Sequence, residues 1–139
     1  MKIQTILATK GAGIRTVRAH QTLKEAVALL AEHKIGALVV VDESGGLVGI
    51  LSERDIIREA ATHTDVLDRL VSEAMTREVI TGRPNDDVHS VLHTMTNGRF
   101  RHLPVLDKGK LAGIVSIGDV VKAQLGEYEG EIESLQNAI

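Results

Sequence analysis

Two ten-residue stretches decide the fold of this chain. Residues 46–55 read Gly-Leu-Val-Gly-Ile-Leu-Ser-Glu-Arg-Asp, and residues 110–119 read Lys-Leu-Ala-Gly-Ile-Val-Ser-Ile-Gly-Asp. The inner glycine, the isoleucine, the serine and the last aspartate recur at matching places, 64 residues apart. Immediately upstream, residues 37–42 match residues 102–107 at a spacing of 65. A repeat of this length predicts two copies of one folding unit.

Each copy is predicted to fold as strand, helix, strand, strand and helix. A short apolar segment, 14–17 or 79–81, precedes an amphipathic helix, and two β-rich runs joined by a Gly-containing turn then form a hairpin. The last helix begins at Ser52 or Ser116 and is expected to turn inward the residues Ile56, Ile57, Val120 and Val121. A unit of about 60 residues is marginal alone. We therefore expect an α+β fold in which two pseudo-twofold-related βαββα units pack sheet to sheet.

The repeat divides the chain into three predicted segments within one compact body. They are a first copy at 1–65, a second copy at 66–125 and a C-terminal helix at 126–139. In the C-terminal segment, helical spacing places on one face the residues Tyr128, Ile132, Leu135 and Ile139. This face either covers its own protomer or packs on a partner chain.

The composition argues against several classes of protein. With 139 residues, 43% of them hydrophobic, the chain has enough apolar surface for a packed core. Its 16 basic and 19 acidic residues make the net charge −3, which argues against binding to nucleic acid or to anionic membranes. Zero cysteines exclude thiolate metal sites and cysteine nucleophiles. No apolar run is long enough to cross a bilayer and no secretory signal is recognisable, so a cytoplasmic location is predicted.

The repeated Ser-x-x-Asp motif has two interpretations. A serine at the end of a strand, with an aspartate three residues later, is a common pair of helix N-capping residues. The same carboxylate can accept hydrogen bonds from both vicinal hydroxyls of a ribose, while the helix N-terminus offers its amides to a phosphate. Capping alone does not demand the glycine that precedes the serine in both copies, whereas a ligand that crosses the strand end does. The repeat therefore favours a ligand, although capping stays open.

The paired motifs, the Phe-Arg-His-Leu-Pro-Val-Leu-Asp segment at 100–107 and Met75-Thr76 before the second copy resemble those of a tandem CBS-domain protein, the pair known as a Bateman module. The resemblance spans about 14–125, with no effector domain recognisable beside it. It implies a regulatory, non-catalytic fold that binds an adenosine-containing ligand such as AMP, ADP, ATP, NAD or S-adenosylmethionine in clefts between the copies. It also implies a homodimer that signals to a regulated protein of unknown identity.

The resemblance assigns the ribose contacts to Asp55 and Asp119, with Ser52 and Ser116 beside them. Further ligand contacts are implied for the residues Ile14, Thr16, Ala37, Val79, Thr81 and Pro104.

Phosphate contacts are assigned by the resemblance to a basic pair, Arg101 and His102, at the start of a strand. Arginine suits this role because its guanidinium group contacts phosphate in a bidentate manner. The first copy has no basic residue at these positions, and Arg54 would supply charge there instead. The two clefts are therefore unequal, and the one that contains Asp55 is expected to be the more favourable for phosphate.

Two other functions stay open beside the ligand-sensing module. An enzyme is disfavoured because the sequence has no nucleophile with an adjacent base and no phosphate-binding loop, so no catalytic cofactor is expected. His89 and His93 have the i, i+4 spacing of metal ligands, but no third ligand is evident, and no metal site is predicted. The remaining alternative is a structural dimerisation module whose clefts are empty.

Overall fold

The computed structural model describes residues 1–11 and 13–138. These residues form a mixed structure of helices and strands with two small sheets. Contacts divide the chain into two compact units, one of Ile14–Ile80 and one that joins Met1–Gly13 to the chain from Thr81 onward. We name them the Asp55 unit and the Asp119 unit, after the aspartate of each repeated motif.

The first repeat follows the predicted order of helices and strands, and the second follows it from its first helix onward. In chain order the elements are α1 Ile3–Lys10, β1 Thr16–Val17, α2 Leu23–His33, β2 Ala37–Val41, β3 Leu47–Ser52, α3 Glu53–Thr62, a 3-10 turn at Val66–Asp68, α4 Val71–Ala74, α5 Val88–Gly98, β4 His102–Asp107, β5 Lys110–Ser116 and α6 Ile117–Asn137. The two predicted amphipathic helices, α2 and α5, and both predicted hairpins are confirmed.

The Asp55 unit is built on a three-stranded sheet in the order β1, β2, β3. β1 runs parallel to β2, and β3 pairs with β2 in the antiparallel sense, so Ala37 lies opposite Ser52. Every residue of the central strand β2 is buried, which explains its unbroken run of apolar residues. The core of this unit comprises Val17, Leu23, Ala26, Leu30, Leu38, Val40, Leu51, Val71, Ala74 and Met75.

The Asp119 unit is built on the hairpin of β4 and β5. His102 lies opposite Ser116, in the same register that pairs Ala37 with Ser52 in the other unit. The register is equivalent because the repeated motif ends each hairpin. The core of this unit comprises Ile3, Ile6, Val88, Val91, Met95, Leu103, Val105, Val115 and Val120.

A proline explains why the strand predicted at 79–81 is reduced, among the described residues, to a single parallel bridge at Gly82. In the Asp55 unit, the amide of Val39 donates to Arg15 O over 3.3 Å, which ties the first strand to the second. The repeat places Pro104 at the position of Val39, and proline has no amide hydrogen to donate. The Asp119 unit therefore loses that hydrogen bond, and the predicted strand is not formed.

Helix α1 is an element that the repeat pattern does not predict. Its Ile3 is fully buried, and a bridge from Lys2 to Asp87 ties it to the start of α5. The Asp55 unit holds α4 in the same way, through a bridge from Thr22 to Leu70. α1 and α4 are therefore equivalent elements, although their sequences differ.

Each repeat is completed by the helical segment that precedes the other repeat in the chain. Residues 1–13 belong to the Asp119 unit, and residues 66–80 belong to the Asp55 unit. The prediction assigns residues 1–13 to the first copy and residues 66–80 to the second, so it does not include this exchange of segments between the units. It also places the start of a helix at residue 126, whereas α6 runs unbroken from Ile117.

The helices that follow the two serines turn only part of their apolar surface inward. Val120 is fully buried, but Ile57 is 67% exposed and Val121 is 39% exposed. The prediction that both residues of each adjacent pair, Ile56 with Ile57 and Val120 with Val121, point inward is therefore wrong. The reason is that a helix has 3.6 residues per turn, so adjacent side chains point in directions about 100° apart.

The C-terminal tail is the continuation of α6, and its predicted apolar face is exposed at Tyr128, Ile132 and Leu135. Ile139, the last residue of that face, lies outside the described residues. Glu127 of the tail forms an ion pair with the Met1 amino group, but over residues 1–11 and 13–138 the apolar face does not cover its own protomer, and its packing on a partner chain stays a prediction. None of the described helices combines the length and the apolar content that crossing a membrane requires.

Candidate ligand site

Ser52 and Asp55 form a helix cap at the start of α3. The amide and the hydroxyl of Ser52 donate to Asp55 Oδ2 over 2.9 and 3.1 Å. The Asp55 amide donates to Ser52 Oγ over 3.3 Å, which completes a capping box. The capping interpretation of the motif is therefore confirmed for this unit, and any ligand role has to coexist with it.

The second carboxylate oxygen of Asp55 is also engaged. Oδ1 accepts hydrogen bonds from Thr76 Oγ1 over 3.1 Å and from Arg58 Nη1 over 3.2 Å, and the residue is only 4% exposed. Both oxygens are thus bonded to the chain itself, so a ribose reaches this carboxylate only by displacing Thr76 or Arg58. Neither donor is part of the repeated motif.

Asp119 has the same cap but a more accessible carboxylate. The Ser116 amide donates to Asp119 Oδ2 over 2.8 Å, and the Asp119 amide donates to Ser116 Oγ over 3.1 Å. The Asp119 side chain is 27% exposed, in contrast to the buried Asp55. Part of this carboxylate is therefore within reach of a ligand from solvent.

A lysine from α1, which sequence reasoning did not identify, contacts Asp119. Lys10 Nζ donates to Asp119 Oδ2 over 2.6 Å and to Ile114 O over 2.9 Å. Partial burial raises the pKa of Asp119, but the hydrogen bond and the positive charge of Lys10, together with the bonds from Ser116, outweigh that effect and hold the pKa below its usual value. The carboxylate is therefore ionised at neutral pH and acts only as an acceptor.

The inner glycine of the repeated motif is closely packed within each unit. A Cβ atom on Gly49 would lie 2.9 Å from Met75 Sδ and 3.0 Å from Thr76 O. A Cβ atom on Gly113 would lie 2.6 Å from Leu7 Cδ2. The segments that complete the two units thus occupy the space that a side chain would need. The repeated glycine does not by itself indicate a ligand, which corrects the preference drawn from the sequence.

The basic pair predicted to contact phosphate lies at the same strand end as Asp119. The Ile117 amide donates to Arg101 O over 2.8 Å, beside the N-cap of α6. His102 lies opposite Ser116 across the hairpin. Arg101 is exposed and His102 is half-buried. The structure therefore brings the two residues to the helix N-terminus at which the cap is formed.

The other predicted contact residues are divided between the units. The Asp55 unit contains Ile14, Thr16, Ala37, Arg54 and Val79, and the Asp119 unit contains Thr81 and Pro104. Thr16, Arg54 and Thr81 are exposed, whereas Ala37 and Pro104 are buried strand residues. The Gly82 amide donates to Pro104 O over 2.9 Å, which holds Thr81 next to β4. The roles of these residues toward a ligand stay predictions.

The rings of His89 and His93 contact each other edge to face on α5, with their centroids 4.9 Å apart. Both side chains are exposed. Across the part of the chain that the structure describes, no three His, Cys, Asp or Glu side chains form a group that could hold a metal ion.

The repeated unit matches a known family along most of the chain. The family model of the CBS domain matches residues 11–62 and again residues 71–126. The chain belongs to the CBS-domain family. Because the model matches twice, the two units described above are the halves of one CBS pair. A CBS pair is a regulatory module.

Individual CBS proteins resemble this chain over most of its length. CBS domain-containing protein YhcV of Bacillus subtilis is 36% identical over 112 residues, which cover 81% of this chain and 79% of YhcV. The crystal structure of the CBS-domain containing protein ATU1752 from Agrobacterium tumefaciens has 42% sequence identity and a TM-score of 0.86, and the match covers 89% of this chain and 99% of that protein.

A third CBS protein was crystallised with ligands. The CBS domain pair of protein MJ0100 was solved in complex with 5′-methylthioadenosine and S-adenosyl-L-methionine. It has 30% sequence identity and a TM-score of 0.81, and the match covers 91% of this chain and 98% of that one. The fold of this CBS pair is therefore similar to that of a pair that holds adenosine-containing compounds.

Proposed function

We propose that this CBS pair senses an adenosine-containing ligand at Asp119 and passes the signal to a regulated protein. The observation that carries the proposal is the ionised, partly exposed carboxylate at the N-terminus of α6, with Arg101 and His102 at the same strand end. The ligands of the MJ0100 pair support the adenosine part. AMP, ADP, ATP and NAD are the proposed candidates, as regulatory ligands and not as catalytic cofactors.

The Asp119 carboxylate suits a ribose because a carboxylate can accept from two vicinal hydroxyl groups. A hydrogen bond to a charged group contributes about 1.5–3 kcal/mol. The amides in the first turn of α6 and the guanidinium group of Arg101 suit a phosphate on the 5′ carbon of the same ribose. The sugar and the phosphate are thus recognised from one strand end, which favours nucleotides over free bases.

Asp55 is proposed as the weaker of the two sites. Its carboxylate has to release Thr76 or Arg58 before a ribose can bind. Over the described chain, the hydrogen bonds to the Asp119 carboxylate fall on Oδ2, so Oδ1 is the proposed acceptor for the ribose. This ranking reverses the expectation from the sequence that the Asp55 site, with Arg54 beside it, is the more favourable for phosphate.

Adenine nucleotides are expected to raise the melting temperature of the purified chain, because a ligand that binds only the folded state stabilises it. At a ligand concentration of about 100 times Kd, the expected gain in the free energy of unfolding is about 2.7 kcal/mol. Differential scanning calorimetry with AMP, ADP, ATP and NAD measures the gain, and GMP serves as the control for the base. If none of the four nucleotides shifts the melting temperature, the chain is a structural module instead.

We also propose that the chain forms a homodimer through α3 and α6. Ile57 is exposed on α3, Val121 and Leu125 are exposed four residues apart on α6, and apolar side chains exposed together on a helix surface support an interaction site. Light scattering is expected to give about twice the 15.0 kDa mass of one chain. Ile57→Glu is expected to yield monomers, whereas Ile80→Glu, a change at an exposed isoleucine outside these helices, is expected to leave the dimer intact. A wild-type particle of 15.0 kDa would contradict the dimer.

A further inference from the structure

Two equivalent segments supply different donors to the two motif aspartates. The packing of α1 and of the end of α4 on the motif glycines aligns Ala8 with Thr76. Thr76 donates its hydroxyl to Asp55, but alanine has no donor at the equivalent place. The donor to Asp119 is instead Lys10, two residues further along α1. The segment that completes one unit therefore contacts its aspartate through an ammonium group, whereas the equivalent segment of the other unit does so through a neutral hydroxyl.

The ammonium of Lys10 is held at Asp119 but is not enclosed there. It contacts Asp119 Oδ2 and Ile114 O, and its side chain is 38% exposed. A lysine carries its charge on a flexible four-carbon stem, so the group can move by several ångströms while α1 stays in place. Lys10 can therefore exchange Asp119 for another anionic partner that binds beside it.

The charge of the ligand decides what happens to this ammonium when ribose hydroxyls approach Asp119. A neutral nucleoside that binds Asp119 Oδ1 offers Lys10 no anionic partner, so the ammonium stays on Oδ2 and weakens the carboxylate as an acceptor for the ribose. A nucleotide brings a phosphate, which can accept a charge-assisted hydrogen bond from the ammonium. A cationic adenosine derivative adds repulsion instead. The affinity of Asp119 for the sugar therefore depends on the charge of the group that the 5′ carbon carries.

We propose that Lys10 is a specificity-determining residue of the Asp119 site, and that it makes this site select adenosine ligands with an anionic 5′ group over neutral or cationic ones. The inference rests on the proposed function and deepens it, because it names the residue that sets the charge of the ligand. Lys10 lies 109 residues from Asp119 in the chain, so only the packing of α1 brings the two together.

Three ligands that differ in the charge of the 5′ group test this role: AMP, adenosine and 5′-amino-5′-deoxyadenosine, which are anionic, neutral and cationic there. Isothermal titration calorimetry of the wild-type chain is expected to rank their affinities in that order. In Lys10→Met, the ratio of AMP affinity to adenosine affinity is expected to fall about tenfold or more, since AMP loses a charge-assisted bond to its phosphate while adenosine has no such bond to lose. Lys10→Arg is expected to keep most of the ratio.

Lys110→Met is the matched control, because it removes the same charge at the opposite end of β5 and is expected to leave the ratio unchanged. Thermal melting establishes that each variant folds, and the ranking of the three ligands by the wild-type chain needs no variant. Equal changes in AMP and adenosine affinity in Lys10→Met, or equal wild-type affinity for all three ligands, would overturn the role of Lys10 and leave the ribose site intact. A wild-type chain that binds none of the three would overturn the proposed function as well.

Discussion

Replacing Asp55 with alanine is expected to lower the free energy of unfolding by about 3 kcal/mol. The carboxylate is buried and accepts hydrogen bonds from Ser52, Thr76 and Arg58. Its removal leaves the bond from the Asp55 amide to Ser52 Oγ in place, but it takes the acceptor from Ser52, Thr76 and Arg58 at a position that is 4% exposed, and a donor left there without its acceptor costs about 1–3 kcal/mol. Urea unfolding at pH 7 measures the change.

Asp119→Ala is the matched comparison and is expected to lower the free energy of unfolding by only about 1 kcal/mol. The bond from the Asp119 amide to Ser116 Oγ stays and only the bond from the Ser116 amide is lost, water can reach the partly exposed position, and the ammonium of Lys10 returns to solvent with little loss. Asp55→Ala is thus expected to lower the free energy of unfolding about three times as much as Asp119→Ala does. Equal losses would show that the contacts of Asp55 with Thr76 and Arg58 contribute nothing measurable to stability.

AMP is expected to bind the wild-type chain about tenfold or more tightly than 2′-deoxy-AMP. If Asp119 accepts from both ribose hydroxyls, the deoxy ligand leaves one acceptor position of the carboxylate unpaired, which costs about 1–3 kcal/mol of binding free energy. Asp119→Ala is expected to weaken AMP and to bring the ratio of the two affinities close to one, because the discriminating acceptor is gone. Isothermal titration calorimetry with both ligands gives this ratio directly.

Asp87→Ala serves as the control for the ribose experiment. Asp87 is the N-cap of α5 in the same unit and accepts a hydrogen bond from the Ser90 amide, so its loss weakens another helix N-terminus away from the repeated motif. The preference for ribose is expected to survive this change. Wild-type protein that binds AMP and 2′-deoxy-AMP equally, or an Asp119→Ala variant that keeps the full preference, would show that Asp119 is a cap and nothing more.

Most secondary structure of this chain follows from local patterns. The helices α2 and α5 have apolar residues at helical spacing, and the hairpins have β-rich runs around Gly-containing turns, so neighbouring residues alone indicate them. The exceptions are elements whose formation depends on residues distant from them in the chain. The strand predicted at 79–81 fails because Pro104, its neighbour in the sheet, has no amide hydrogen. Helix α1 has only eight residues, and helices this short are marginal without the burial that Ile3 finds in the Asp119 unit.

The contacts of the candidate site also divide into those that local sequence patterns predict and those that depend on the fold. Each Ser-x-x-Asp cap joins residues three apart, and the spacing alone predicts the bonds that both units contain. Arg58 is local to Asp55, but two further donors that make the two carboxylates different are distant in the chain. Thr76 lies 21 residues from Asp55, and Lys10 lies 109 residues from Asp119. No local pattern relates such pairs, so neither donor could be identified before the fold was known.

The amino-acid sequence thus specifies two copies of one motif, each with a capped helix and a carboxylate at a strand end, because capping and strand pairing depend on residues close together in the chain. Tertiary packing decides which of the two carboxylates has both of its oxygens hydrogen-bonded to the chain itself. α1 and α4 dock on equivalent glycines, and the identity of the side chain that each docking segment carries to the aspartate differs. The hydroxyl of Thr76 and the guanidinium of Arg58 in one unit, and the partly exposed ammonium of Lys10 in the other, make two similar motifs chemically unequal, since a carboxylate takes its properties from the donors that surround it.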